Sequence, residues 1–262
     1  MGPKIWYIHQ GKTPLVAAAI HTGHEIRREV AEYLVLSESD RLREEDPFTS
    51  TLTTAAQNRL IVFRSRFEID VNRPREKACY LRPEDAWGLH LWKQQLPGEL
   101  IERSLEEYDR FYAEVKRFFT DLERRFGQFV VFDVHSYNHL RDGPDKPPAD
   151  PELNPEVNVG TGTMDRERWA SIVDRFIADL SAFDFLGRHL DVRENVKFKG
   201  GHFSHWIHET FPETGCAIAI EFKKFFMNEW TGKLYHEQFD AIKGALKSTV
   251  PGVLEELTNL KK

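Results

Sequence analysis

A chain of 262 residues can bury a sizeable core, and 40% hydrophobic with 30% charged residues excludes the disordered and fibrous classes. The net charge of −6 lacks the basic surplus that binding a phosphate backbone requires, so no nucleic-acid partner is expected. The two cysteines, Cys79 and Cys216, form no close pair, and neither a leader in residues 1–10 nor a run of about 18 apolar residues appears, so the expectation is a cytoplasmic protein with no membrane partner.

In chain order, residues 15–20 (LVAAAI) form a short continuous apolar run after Pro14, the pattern of a strand buried on both faces. The run stops at His21-Thr-Gly-His-Glu25. The charged amphipathic stretch 26–42 predicts one helix, and Pro47 breaks whatever precedes it. Residues 60–63 and 67–71 read as strands, the second because its apolar residues alternate with period two. From 99 to 126, Ile101, Leu105, Tyr108, Tyr112, Val115, Phe119, Leu122 and Phe126 recur at spacings of three and four. They predict one long helix packed along that stripe, with Gly127 as its C-terminal cap.

Residues 129–134 give another buried strand, which runs into His135-Ser-Tyr-Asn138. Between Ser136 and Thr163 lie Pro144, Pro147, Pro148, Pro151 and Pro155 with no periodic pattern; a loop this long in a compact domain is expected to cover an active site. A further helix (169–180), a strand (217–222) and helical sequence from 236 onward complete the pattern. The alternation predicts an α/β fold over 1–262 as a single domain, with a mixed, mostly parallel sheet flanked by helices on both faces.

Loops at the carboxyl ends of strands converge over the edge of such a sheet. Three strands end in chemically loaded residues: His21, His135 and Glu221. Two imidazoles and a carboxylate from separate strand ends suit a catalytic metal site with an open coordination position. Asn72-Arg73, after 67–71, places an arginine fork suited to a carboxylate at the sheet edge, and Gly200-Gly201 allows close approach of backbone N–H groups to a ligand.

Six segments occur in one order: Ile20-His21-Thr-Gly23, Arg66-Phe-Glu-Ile-Asp-Val-Asn-Arg-Pro74, Asp133-Val-His-Ser136, Asn158-Val-Gly-Thr161, Phe198-Lys-Gly-Gly201 and Ala219-Ile-Glu221. Together, over roughly residues 15 to 230, the chain resembles the N-formylglutamate amidohydrolase family, which is similar to zinc carboxypeptidases and aspartoacylases. The resemblance implies a zinc-exopeptidase-like fold and a single zinc ion. Its substrate would be a small N-acyl amino acid, N-formyl-L-glutamate in the first place. By the same resemblance His21 and His135 are metal ligands, Glu221 is the general base, Arg66 polarises the scissile carbonyl, and Asn72 with Arg73 holds a substrate carboxylate. Asp46 is preferred as the third ligand, with Glu25 as the alternative. Ile20 stands where family members commonly carry proline, and residues 44–49 look like a variant branch. A related metal-dependent deacylase or carboxypeptidase and a silent ligand-binding homologue are the competing readings. Oligomeric state is not legible.

Overall fold

The computed structural model describes residues 5–260. Its centre is a seven-stranded sheet made of β1 (Trp6–His9), β2 (Leu15–Ala19), β3 (Asn58–Val62), β4 (Phe129–Tyr137), β5 (Val157–Gly160), β6 (Val192–Glu194) and β7 (Gly215–Lys223). In space the order is β1-β3-β2-β4-β7-β5-β6. The pairs β3–β2, β2–β4, β4–β7 and β5–β6 are parallel, and β1–β3 and β7–β5 are antiparallel, so the sheet is mixed and mostly parallel.

The helices are α1 (Arg28–Ala31), α2 (Glu38–Glu44), α3 (Thr49–Leu52), α4 (Gly98–Phe126), α5 (Ala170–Ala182), α6 (His202–Thr210), α7 (His236–Ser248) and α8 (Val250–Asn259). Alternate residues of β2 enter opposite cores. Leu15 and Ala17 join the side of α5, α7 and α8, while Val16, Ala18 and Ile20 join the side of α4 and α6. Residues on β4 and β7 divide in the same way, which is why the central strands read as unbroken apolar runs. Gly127 ends α4 at φ +77°, and its N–H donates to Glu123 O at 2.7 Å.

Two expectations fail. Residues 26–42 are not one helix: Val35 N–H donates to Leu91 O, and Ser37 caps a new helix by accepting from Asp40 N–H. Residues 67–71 are not a strand but a buried turn. Phe67, Ile69 and Val71 do point inward, yet Glu68 and Asp70 between them are buried as well, each meeting fixed partners. Arg66 Nη2 lies 3.0 Å from Asp70 Oδ2, whereas four residues of extended chain would span about 13 Å. The proline-rich segment is shorter than expected, because Ser136 and Tyr137 continue β4 and Val157–Gly160 forms β5. Its start is tied down by Glu229 Oε1, which accepts the N–H groups of His139 and Leu140, and by Trp230 Nε1 donating to Leu140 O. Among the described residues, no helix is long and apolar enough to cross a membrane.

Candidate active site

The parallel strands β2, β4 and β7 end at one edge of the sheet, and His21, His135 and Glu221 stand there. His135 is the register partner of Glu221, so both side chains rise side by side from the same face. Asp46 arrives from the loop after α2, where its N–H donates to His21 O at 3.0 Å and its own carbonyl accepts from Thr49 Oγ1 at 2.6 Å.

Asp46 Oδ2 lies 3.1 Å from His135 Nδ1 and 3.7 Å from His21 Nδ1, and all three residues are buried. Ligand atoms of a tetrahedral site with bonds near 2.0–2.1 Å stand about 3.3 Å apart, so this trio has the spacing to hold a metal ion. The outer ring nitrogens are fixed as such a site requires. His21 Nε2 meets Asp70 Oδ1 at 2.7 Å and His135 Nε2 meets Asp133 Oδ1 at 3.0 Å. Each carboxylate favours a proton on Nε2, which in the neutral ring would leave the Nδ1 lone pair for a metal ion. Burial works against charge on Asp46, yet hydrogen bonds from His135 and His21 keep its carboxyl well below the ordinary range. His135 moves the other way: burial disfavours its cation, but Asp133 and Asp46 on its two nitrogens raise its proton affinity well above the usual value. The field that draws a proton there would draw a metal cation too.

Asp70 is the hub beneath the trio. Besides His21 it accepts from Arg66 Nη2, from the N–H of Asn72 at 2.8 Å and from Tyr80 Oη. These donors outweigh burial and hold its carboxyl well below the ordinary range. Replacing Asp70 with asparagine is expected to weaken metal binding about ten- to a hundredfold, the usual effect of losing a partner behind a ligand. Competition against a chromogenic chelator would measure it; an unchanged affinity would remove Asp70 from the site's support.

Glu221 pairs with neither Lys223 nor Lys224. Lys223 Nζ donates to Asn154 O at 2.8 Å, and Lys224 Nζ to Arg43 O at 2.6 Å and Glu45 O at 2.7 Å. Lys224 lies past the end of β7 and lines the same cavity as Glu221. Loss of hydration pushes the Glu221 carboxyl up to about 7.

These groups open onto a cavity of about 360 Å³. His21, Asp46, His135, Glu221, Arg66, Asn72, Arg73, Gly200 and Gly201 all line it, whereas Glu25 does not. Glu25 is exposed, and its backbone pairs with Phe63 and Ser65 on the border of a separate groove. Arg66 is fixed by Tyr80 Oη on Nε and Asp70 on Nη2 and stacks 4.8 Å from the Trp87 ring, while Nη1 takes no part in those contacts. Asn72 Oδ1 accepts from Phe203 N–H at 2.9 Å in the first turn of α6, which leaves the Nδ2 donor outside that bond. The Arg73 guanidinium lies 5.1 Å over Tyr80 and donates to Asp85 O. A Cβ on Gly201 would stand 2.3 Å from Asn72 Oδ1, so glycine there first makes room for Asn72 rather than for a ligand.

Several cavity residues carried no role in the sequence reading: Glu44, Asn138, Arg141, Lys197 and Lys224. Asp133 had a readable signal, since the Asp-x-His spacing puts it on the same face of β4 as His135.

The sequence pattern described as N-formylglutamate amidohydrolase matches residues 13–227. The crystal structure of N-formylglutamate amidohydrolase from Ralstonia eutropha JMP134 superposes with a TM-score of 0.72 at 16% identity, over 98% of each chain. A gene product of Agrobacterium tumefaciens superposes at 0.65 and 17% identity, over 98% of this chain and 97% of its own. At these identities the likeness is one of fold. No curated protein matches the chain.

Proposed function

Because this chain belongs to the N-formylglutamate amidohydrolase family, we propose that it hydrolyses the amide bond of N-formyl-L-glutamate to formate and glutamate, with one zinc ion held by His21, Asp46 and His135. The observation that carries this reading is Asp46 standing between two Nδ1 atoms while Glu221 sits in register beside His135. The bound ion would supply Lewis acidity, polarising the carbonyl and easing ionisation of a water molecule. Glu221 takes the proton of the attacking water and delivers it to the departing amine nitrogen. Arg66, its guanidinium fixed along one edge, donates from Nη1 to the oxygen that gains charge. Arg73 and the Asn72 amide hold the α-carboxylate, so they orient the substrate rather than share in the chemistry. The unpaired Cys79 and Cys216 support a cytoplasmic setting. Metal analysis of the purified protein, with assays on N-formyl, N-acetyl and peptide substrates, tests the assignment: about one zinc per chain and preference for the N-formyl substrate are expected, and cleavage only of peptides would overturn it.

The third ligand gives a sharper result. Asp46→Asn is expected to lower zinc affinity by at least about a hundredfold, while Glu25→Gln leaves it within about threefold. The reverse order would transfer the ligand role to Glu25.

The pH profile follows from Glu221. The base works only when ionised, and its ionised fraction grows with pH, so kcat/KM rises with pH and is lost as pH falls through the Glu221 pKa. Burial sets that value at about 7 in the protein alone. A cation at the trio favours the ionised form, so the acid limb of the loaded enzyme is expected at a midpoint between about 5 and 7. A profile flat down to about pH 4, the unperturbed carboxyl range, would remove Glu221 from this role.

A further inference from the structure

The mechanism leaves part of the cavity unused: the residues at the end of β4 and the segment before α6. Six cationic side chains line the cavity (Arg66, Arg73, Arg141, Lys197, Lys199 and Lys224) against four carboxylates (Glu44, Asp46, Asp70 and Glu221), and a divalent cation would widen the imbalance. Lys197 has no carboxylate partner among the described residues. Its Nζ donates to Asn154 Oδ1 at 2.5 Å and lies 5.2 Å over the Tyr137 ring and 5.7 Å over that of Phe198. Burial, and then the charge of Arg141, hold its pKa below the ordinary lysine value, while the charge of Glu221 works the other way.

Arg141 is oriented by a single 3.2 Å contact with Glu44 Oε2, and Glu44 is steadied by Asn138 Nδ2 at 3.1 Å. Two cations lining one cavity, Lys197 among them over two aromatic rings, suit an anion on a short apolar arm.

We propose that Lys197 and Arg141 form a second carboxylate subsite that selects N-acyl amino acids with an anionic side chain. The proposal rests on the amidohydrolase reading and gives Arg73 and this subsite one carboxylate each.

The test compares N-formylglutamate with its neutral isostere N-formylglutamine, using the zinc-loaded wild type, Lys197→Met, Arg141→Met and Lys197→Arg. Wild type should favour N-formylglutamate by about a hundredfold or more in kcat/KM, and each methionine variant should lose about 10- to 100-fold on it, the range for hydrogen bonds to charged groups. That loss should lie in KM and spare N-formylglutamine to within about threefold, while Lys197→Arg keeps the preference. Parallel losses on both substrates, or a wild type indifferent to the side-chain charge, overturn the subsite and leave the reaction standing. If neither amide is cleaved, calorimetric titration with glutamate and glutamine decides. Tighter glutamate binding that is lost in Lys197→Met upholds the subsite while the reaction falls, and equal binding overturns both.

Discussion

Replacing Glu221 with glutamine is expected to lower kcat by a hundredfold or more while zinc content and substrate KM change little. Glutamine keeps the size of the side chain but cannot take a proton. The carboxylate is not needed to balance a lysine, since Lys223 and Lys224 are both engaged by backbone carbonyls. Removing its charge therefore strands neither of these lysines, and the variant should fold and melt close to wild type. Its raised pKa points the same way: loss of hydration outweighs the charge of neighbouring His135, so the ionised carboxylate is costly there and the substitution relieves a buried charge. Steady-state kinetics on the zinc-loaded variant, beside metal analysis, reads the result. Near-normal turnover by a folded, loaded Glu221→Gln protein would end the general-base assignment.

The second large effect is expected at His135, where substitution with alanine should remove metal and activity together. The ring lies between Asp46 and Asp133, both buried, and loss of the imidazole leaves the two carboxylates facing each other's field. Ser204 Oγ still donates to Asp133 Oδ2 at 2.9 Å, but among the described residues Asp46 would keep only His21 as a side-chain partner. Breaking a buried charged pair from one side costs about 3–5 kcal/mol, so a lower melting temperature should accompany the loss of metal. His135→Gln keeps a polar group in place and separates the two consequences: it should melt nearer to wild type and still bind zinc weakly. Full zinc occupancy in either variant contradicts the ligand role.

What could be read from the sequence follows how each segment is buried. Residues 15–20, 129–134 and 217–222 are covered on both faces, so nearly every side chain is apolar and the strands announce themselves. The stripe of α4 was readable because one of its faces stays in water, although Phe111 and Phe118 widen the buried face beyond it. The turn at 67–71 was misread because burial of Glu68 and Asp70 by polar partners imitates the alternation of a half-exposed strand. Edge strands β1 and β6, of four and three residues, carry too few positions to show a period. The chemically loaded strand ends were legible because one residue type at one place suffices. Contacts such as Glu44 with Arg141 join segments 97 positions apart, and no local pattern encodes them.

The buried ammonium of Lys224 bears on how the enzyme would acquire its ion. By holding the carbonyls of Arg43 and Glu45, it clamps the backbone on either side of Glu44 and just ahead of Asp46, while the Asp46 N–H is fastened to His21 O. The ligand that comes from the loop after α2 is thus tethered to His21 and to the end of β7 by the protein's own bonds. Little ordering entropy remains to be lost when the ion arrives, so capture resembles docking into a finished socket more than folding around a guest. Chelation should then strip the ion while leaving the secondary structure standing, unlike in small domains whose fold depends on their zinc.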